Sequence, residues 1–285
     1  MTEGRDDIGD ETRVLVEENG ERRVGAAEKV RVSSLDRGLL YGDGVFETFR
    51  CYDGEPAFPG RHASRLNGAL KAVGIPKEFE VEGLKRRISE VTDAFPGDAY
   101  ARVTVTRGVR DGLLAPTEGT PTVVVHGKPL ERRRYPPAVA ETATEPCPVG
   151  VLAHKKTTCY LPNVVARGGT STEADEVLMF AEGTVASGGV SNLFSVRDGC
   201  IETPGERIRE GVTREVVLEE AQLLGYETEV GETTIEDAEA VFLTNTTWGV
   251  RPVAEVDGRA YDGTHPAVEE LADAYLERAL ESASG

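Results

Sequence analysis

The chain has 285 residues, of which 39% are hydrophobic, so it can build two modest domains or one large one. It carries 50 acidic and 32 basic residues, for a formal net charge of −18, which argues against nucleic acid and anionic membranes as partners. Only seven of the basic residues are lysine. An acidic, lysine-poor composition predicts a halophilic source.

The four cysteines are widely spaced and form no CxxC pair. This spacing predicts reduced thiols rather than a disulfide framework or a zinc site, so we expect no metal. The sequence shows no signal peptide and no long apolar run, which predicts a soluble, cytoplasmic protein.

The first half of the chain mixes strand and helix periodicities. Residues 1–12 are expected to form an acidic extension, and residues 13–130 a small N-terminal domain. In chain order, the predicted elements of this domain are strands over 14–16, 30–32 and 45–52, helices over 61–73 and 81–95, and strands over 100–106 and 121–125.

Residues 131–148 lose this periodicity and contain prolines beside a run of arginines, which predicts an interdomain linker. Residues 149–285 are then a second, larger domain. Its predicted elements are a helix over 160–167, strands over 176–180 and 193–196, a hairpin at 198–199, a helix over 213–224, a strand over 240–244, and a helix from 265 onward. Mixed elements without a repeat predict an α/β or α+β fold.

The stretch over residues 35–48 reads LDRGLLYGDGVFET and packs three glycines among charged and aromatic residues. This pattern fits neither an amphipathic helix nor an ordinary strand. Glycine at such density indicates positive φ, or backbone pressed against a ligand or another chain.

With three further segments, this stretch resembles the fold-type IV pyridoxal-phosphate enzymes. The family comprises branched-chain aminotransferases, D-amino-acid aminotransferases and 4-amino-4-deoxychorismate lyases. The further segments, in the family's order, are HASRL at 62–66, KTTCYL at 156–161, and SNLF at 191–194 continuing to GVTR at 211–214. The resemblance implies a two-domain α/β fold with a barrel-like C-terminal domain, bound pyridoxal phosphate, and a homodimer whose sites are completed by a neighbouring subunit's loop.

Pyridoxal phosphate requires an amine that forms a Schiff base and then moves a proton. The candidates are the adjacent Lys155 and Lys156. The spacing to Tyr160 selects Lys156 in the lyase and D-amino-acid branches and Lys155 in the branched-chain aminotransferases. The spacing to residues 164–166 favours Lys156, with Lys155 as the second choice.

The resemblance also assigns the other contacts of the site. Arg65 and the start of the helix at Val212 and Thr213 match phosphate-binding positions, where a guanidinium fork and helix N–H groups suit a dianion. Thr246 and Thr247 match a second phosphate loop, and Tyr160 the contact to the cofactor's phenolic oxygen. The expected substrate-binding residues are Tyr41, Phe46 and Arg110.

One position departs from the family. Counting back from SNLF places Ser187 where the family has a glutamate against the pyridine nitrogen. A carboxylate keeps that nitrogen protonated and the ring a strong electron sink, whereas a serine hydroxyl is neutral. Three functions therefore stay open: an aminotransferase acting on a small amino acid and a 2-oxo acid, an aminodeoxychorismate lyase forming 4-aminobenzoate and pyruvate, and a cofactor-binding family member with weak or elimination-type activity.

Overall fold

The computed structural model describes residues 12–109, 114–115, 119–146, 152, 154–181, 184–205 and 208–285. They divide into two compact units. The first is Met1–Arg132 with Lys156–Cys159 and Ser282–Gly285, and the second is Arg133–Lys155 with Tyr160–Glu281. Both mix helices with strands, which confirms the predicted α/β class. No helix in the described part of the chain has the length and apolarity to cross a membrane.

In the first unit, the described strands form one antiparallel sheet in the order β2-β1-β6-β5-β3-β4. They are β1 (Arg13–Glu18), β2 (Glu21–Ala26), β3 (Gly44–Tyr52), β4 (Glu55–Pro56), β5 (Ala99–Thr106) and β6 (Thr122–Pro129); the helices are α1 (Arg37–Tyr41), α2 (Pro59–Val73) and α3 (Val81–Thr92). Leu66, Leu70, Leu84 and Ile88 of α2 and α3 pack with Phe49 of β3 in the buried core. Their helical spacing is why the sequence predicted both helices.

Strand β2 corrects the prediction of a strand over 30–32. Residues 30–33 are irregular and follow a 3-10 turn at Ala27–Lys29, whereas β2 pairs with β1. The hairpin turns at Asn19 and Gly20, whose φ angles are +52° and +82°. Asn-Gly is a strong hairpin signal, but the exposed, charged β2 lacks the apolar alternation that marks a strand.

The glycine-rich stretch contains a helix that its sequence pattern did not predict. Asp36 caps α1 by accepting a hydrogen bond from the Gly38 N–H at 2.7 Å, and Gly42 ends the helix at φ +66°. A Cβ on Gly38 would lie 2.3 Å from the Thr106 side chain. The glycine therefore serves close packing of α1 against β5, which local periodicity does not reveal.

The second unit contains a curled, half-barrel sheet. Among the described residues its strand order is β12-β11-β10-β13-β14-β7-β8-β9, and β15 pairs with β14. The elements are β7 (Ala138–Pro146), α4 (Leu161–Gly168), β8 (Glu176–Ala181), β9 (Thr184–Gly188), β10 (Asn192–Arg197), β11 (Cys200–Pro204), α5 (Val212–Leu223), β12 (Glu227–Gly231), β13 (Ala240–Asn245), β14 (Gly249–Val256), β15 (Arg259–Ala260) and α6 (Pro266–Ser284). Phe194 and Phe242 stack in its core with ring centroids 4.8 Å apart.

Strand β7 falls within residues 131–148, the stretch interpreted as a linker. It runs parallel to β14 and β8, and its Ala138 and Ala140 are fully buried. Small alanines flanked by threonine and glutamate gave no apolar signal, so sheet pairing rather than hydrophobicity identifies this strand. The division into domains at 13–130 and 149–285 stays a prediction.

Candidate active site

In the first unit, the buried carboxylate of Glu47 contacts two side chains of α2. Glu47 of β3 accepts hydrogen bonds from Nε and Nη2 of Arg65 on α2, each at 2.8 Å. Its Oε2 also lies 2.8 Å from Nδ1 of His62, one turn earlier on α2. An ionised carboxylate only accepts, so Nδ1 carries the proton. The two hydrogen bonds to Glu47 hold Arg65, the predicted phosphate-binding arginine, in one orientation.

Electrostatics fix the protonation of this cluster. Burial acts to raise the pKa of Glu47, but the charge of Arg65 and the His62 hydrogen bond outweigh it, so the net pKa lies well below its usual range. Burial lowers the pKa of His62; Glu47 opposes this, while the charges of Arg65 and Lys156 reinforce it. At neutral pH, Glu47 is therefore charged and His62 neutral.

Lys156 lies with this cluster in the first unit. Its Nζ is 4.3 Å from the centroid of the Phe46 ring, and its carbonyl oxygen accepts a hydrogen bond from the Phe46 N–H at 2.8 Å. Phe46 is 3% exposed. Lys155, in contrast, is grouped with the second unit. The structure thus brings three predicted residues, Phe46, Arg65 and Lys156, into one unit.

Arg102 is a residue that the sequence analysis missed. Its guanidinium carbon lies 3.5 Å from the centroid of the Phe46 ring, and its Nε is 3.4 Å from Thr104 Oγ1. Two cations, Arg102 and Lys156, therefore contact the same aromatic ring. Alternation along β5 could have found Arg102, because its neighbours Ala101 and Val103 are buried in the core.

The glycine-rich stretch holds a second ion cluster. Asp43 accepts hydrogen bonds from Nε of Arg37 at 2.7 Å and from Nε of Arg107 at 2.8 Å. Burial acts to raise the pKa of Asp43, but both arginines, Arg107 first, outweigh it and lower the pKa. Tyr41 lies under the Arg37 guanidinium, 4.8 Å from carbon to centroid, and is 39% exposed. Arg110, the predicted carboxylate-binding residue, lies outside the described residues.

In the second unit, Asn192 connects two predicted phosphate-binding segments. Its Nδ2 donates to the carbonyl of Arg209, three residues before the start of α5, at 2.8 Å. Asn192 also pairs with Thr244 near the end of β13. A Cβ on Gly211 would lie 2.1 Å from Asn192 Oδ1, so only glycine allows this approach. Among the described residues, no side chain caps α5. Val212 and Thr213 are the first, buried residues of the helix.

The other predicted residues of this unit lie on strands and turns. Thr246 and Thr247 form the turn after β13, where the Thr247 N–H donates to Asn245 Oδ1 at 2.9 Å. Ser187 of β9 is half-buried and pairs with Met179. The Tyr160 hydroxyl accepts a hydrogen bond from Arg209 Nη1 at 2.6 Å. Nothing in the sequence pattern indicated Arg209.

Glu176 is a second buried carboxyl that the sequence analysis missed. It is 2% exposed and accepts hydrogen bonds from Ser191 Oγ at 2.7 Å and the Val177 N–H at 2.9 Å. Burial raises the pKa of Glu176, and these hydrogen bonds only partly oppose it. A Cβ on Gly188 would lie 2.9 Å from its Oε2. Because Gly188 and Ser187 face opposite sides of β9, Glu176 lies on the side away from the Ser187 side chain.

The comparisons with known proteins agree with these motifs. Residues 44–256 match the family described as Amino-transferase class IV. The chain belongs to this family of enzymes, which depend on pyridoxal phosphate, as its resemblance implied.

Relatives in the family carry more than one activity. A Methanocaldococcus jannaschii protein, provisionally named branched-chain-amino-acid aminotransferase, is 34% identical over 246 residues, or 80% of this chain and 84% of that protein. Aminodeoxychorismate lyase of Bacillus subtilis is 30% identical over 240 residues, or 79% and 82%. The branched-chain aminotransferase of the archaeon Thermoproteus uzoniensis, solved with norvaline, has a TM-score of 0.84 at 26% identity, covering 96% of both chains.

Proposed function

We propose that the protein is a pyridoxal-phosphate-dependent aminotransferase that transfers an amino group between a small amino acid and a 2-oxo acid. One observation carries this proposal: the Lys156 amine and the Arg102 guanidinium both contact the Phe46 ring, at 4.3 and 3.5 Å from its centroid. Chemistry at the α-carbon of an amino acid requires a nucleophilic amine and a cation that can bind the substrate carboxylate, and Lys156 and Arg102 can supply them. Similarity to the Methanocaldococcus jannaschii relative supports the same activity.

The residues present fit the cofactor. A phosphate dianion suits a guanidinium that a buried carboxylate holds in place, which describes Arg65. It also suits the helix start at Val212 and Thr213, which no described side chain caps. We propose these residues, with Thr246 and Thr247, as the phosphate contacts.

Each residue has a defined task in this proposal. When bound, pyridoxal phosphate supplies an aldehyde carbon and a ring that accepts electrons. Lys156 Nζ binds the cofactor and then takes and returns the α-proton of the substrate. Arg102 binds a substrate carboxylate, and Phe46 and Tyr41 shape the substrate side. Tyr160 contacts the cofactor's phenolic oxygen, and Arg110 stays a further candidate for carboxylate binding.

Absorbance of the purified protein tests the proposal. We expect a visible band from lysine-bound cofactor that disappears in Lys156→Ala and persists in Lys155→Ala, the matched control one residue away. The reverse result would reassign the lysine. No band after reconstitution with pyridoxal phosphate would reject both enzyme functions. A panel of amino donors against 2-oxoglutarate and pyruvate then defines the substrates.

The alternative is a 4-amino-4-deoxychorismate lyase. Similarity to the Bacillus subtilis lyase favours it, as does the spacing from Lys156 to Tyr160. Product analysis separates the two functions, because the lyase forms pyruvate and 4-aminobenzoate from aminodeoxychorismate, whereas the aminotransferase forms a 2-oxo acid and a new amino acid.

Ser187 supports a third proposal, that activity is weak or directed to elimination. A neutral hydroxyl at the pyridine nitrogen leaves the ring a weaker electron sink than a protonated ring would be. Ser187→Glu should then increase transamination. Unchanged rates would mean that Ser187 does not face the ring nitrogen.

We further propose a cytoplasmic homodimer adapted to high salt. The exposed apolar residues Leu35, Leu39 and Leu40, of which Leu39 is 71% exposed, lie in the glycine-rich stretch and suit contact with a second copy.

The net charge of −18 supports the adaptation to high salt, because dissolved salt screens the repulsion among the acidic side chains. Light scattering tests the dimer: we expect a dimer for the wild type and a smaller species for Leu39→Glu. Thermal unfolding across KCl concentrations tests the adaptation to salt: we expect the melting temperature to rise with KCl.

A further inference from the structure

Two hydrogen bonds connect Tyr160, and His154 six residues upstream of it, to the residues just before α5. Arg209 Nη1 lies 2.6 Å from the Tyr160 hydroxyl oxygen, and its guanidinium carbon is 5.2 Å from the ring centroid. His154 Nδ1 lies 2.7 Å from the Ile208 carbonyl oxygen. Tyr160 is therefore held by the segment that opens α5, within the second unit.

The direction of the Arg209 hydrogen bond follows from chemistry. A guanidinium has five donors and no acceptor, so the Tyr160 oxygen accepts here. The hydroxyl proton of Tyr160 is then directed toward a different acceptor. A charged donor also polarises the phenol and makes it a stronger donor itself, because bonds in a hydrogen-bonded chain reinforce one another.

Arg209 is itself fixed in position. Its carbonyl oxygen accepts from Asn192 Nδ2 at 2.8 Å, and the close approach of Asn192 to Gly211 fixes the following turn. Its Nε is buried and has no hydrogen-bond partner among the described residues. A buried donor without a partner is costly, and an anionic oxygen of a bound group would satisfy it.

We propose that Arg209 is a positioning residue that acts through Tyr160, directing the tyrosine hydroxyl toward the phenolic oxygen of bound pyridoxal phosphate and holding that oxygen deprotonated. This inference rests on the proposed cofactor contact of Tyr160. In this proposal Arg209 is a cation that acts on the phenolic oxygen of the cofactor. Ser187, proposed to face the pyridine nitrogen, supplies no carboxylate there.

The test is an absorbance titration of the reconstituted protein, in which the lysine-bound cofactor gains a proton as pH falls. Tyr160 and Arg209 stabilise the deprotonated phenolic oxygen. Without them, the cofactor takes up a proton at a higher pH. Arg209→Met should therefore raise the titration midpoint by about one pH unit, a size typical for the loss of one nearby charge. Arg209→Lys, which keeps the charge, should shift it less. Arg259→Met removes an exposed arginine of the same unit and should leave the midpoint unchanged.

The double variant decides whether Arg209 works through Tyr160. Tyr160→Phe alone should raise the midpoint, and Arg209→Met in that background should add little. An equal shift with and without the hydroxyl would overturn the proposal, as would an unchanged midpoint in Arg209→Met. If Arg209→Met fails to fold in a thermal melt, Arg209→Gln and Arg209→Lys carry the same comparison. Absence of the cofactor band in the wild type would instead reject the proposed function.

Discussion

Glu47 and Arg65 form a two-point contact in which both carboxylate oxygens accept hydrogen bonds from one guanidinium, at Nε and Nη2. Glu47 is 1% exposed, so the pair lies largely outside solvent screening. The contact leaves the guanidinium a single orientation. In the proposed function, that orientation determines where the phosphate binds.

Glu47→Gln should break this contact. The amide keeps the shape but loses the charge, so Arg65, which is 20% exposed, loses the buried carboxylate that holds it. We expect a loss of about 3 kcal/mol in unfolding free energy, typical for removing one partner of a buried pair, and weaker binding of pyridoxal phosphate. Urea unfolding and cofactor titration measure the two effects.

Glu55→Gln is the matched control for Glu47→Gln. Glu55 is 48% exposed and pairs with Lys85 at 3.2 Å, so its loss should change stability by less than about 0.5 kcal/mol. Equal effects of the two substitutions would contradict the role assigned to Glu47.

The same cluster predicts sensitivity to acid. The pKa of His62 is lowered from 6.5 and that of Glu47 from 4.5. Each group therefore contributes stability that is fully present above those values and is lost as pH falls through the lower folded-state pKa. We expect the melting temperature to fall below pH 6.5, with a smaller decrease between pH 6.5 and 5 in His62→Gln. Parallel curves for the two proteins would refute this.

For Glu176 we expect the opposite dependence of stability on pH. Burial raises its pKa above 4.5, so its contribution to stability is full below that value and is lost as pH rises through the folded-state pKa. Glu176→Gln removes the titration while keeping an acceptor for the Val177 N–H. The variant should gain stability relative to wild type as pH rises above 4.5, as measured by urea unfolding; a constant difference would contradict the raised pKa.

Arg102→Met should weaken binding of a substrate carboxylate. Losing one charged hydrogen bond costs about 1.5–3 kcal/mol, so KM should rise roughly 10- to 150-fold, with kcat less affected. Arg86→Met, on the exposed face of α3, is the control. An unchanged KM would leave carboxylate binding to another residue, of which Arg110 is the first candidate.

Local patterns predicted much of the fold because they reflect periodicity. The helices α2, α3 and α5 and the strands β3, β5 and β13 all follow the spacing of buried residues. The pattern failed where structure depends on partners. Strand β2 is exposed, and the buried residues of β7 are small alanines. Helix α1 depends on Gly38 packing against Thr106.

The sequence by itself determined the family and pointed to the lysine pair and the proposed phosphate-binding motifs, because each is a run of neighbouring residues with fixed spacing. Only the tertiary structure decided that Glu47 holds Arg65, that Arg102 shares the Phe46 ring with Lys156, and that Arg209 donates to Tyr160. These pairs join residues that are distant in the sequence, up to 110 positions apart between Phe46 and Lys156. The Phe46–Arg102 contact depends on the register of β3 against β5, and that register is a property of the folded sheet. The other two pairs depend on how a helix or a loop packs, which local sequence spacing does not encode.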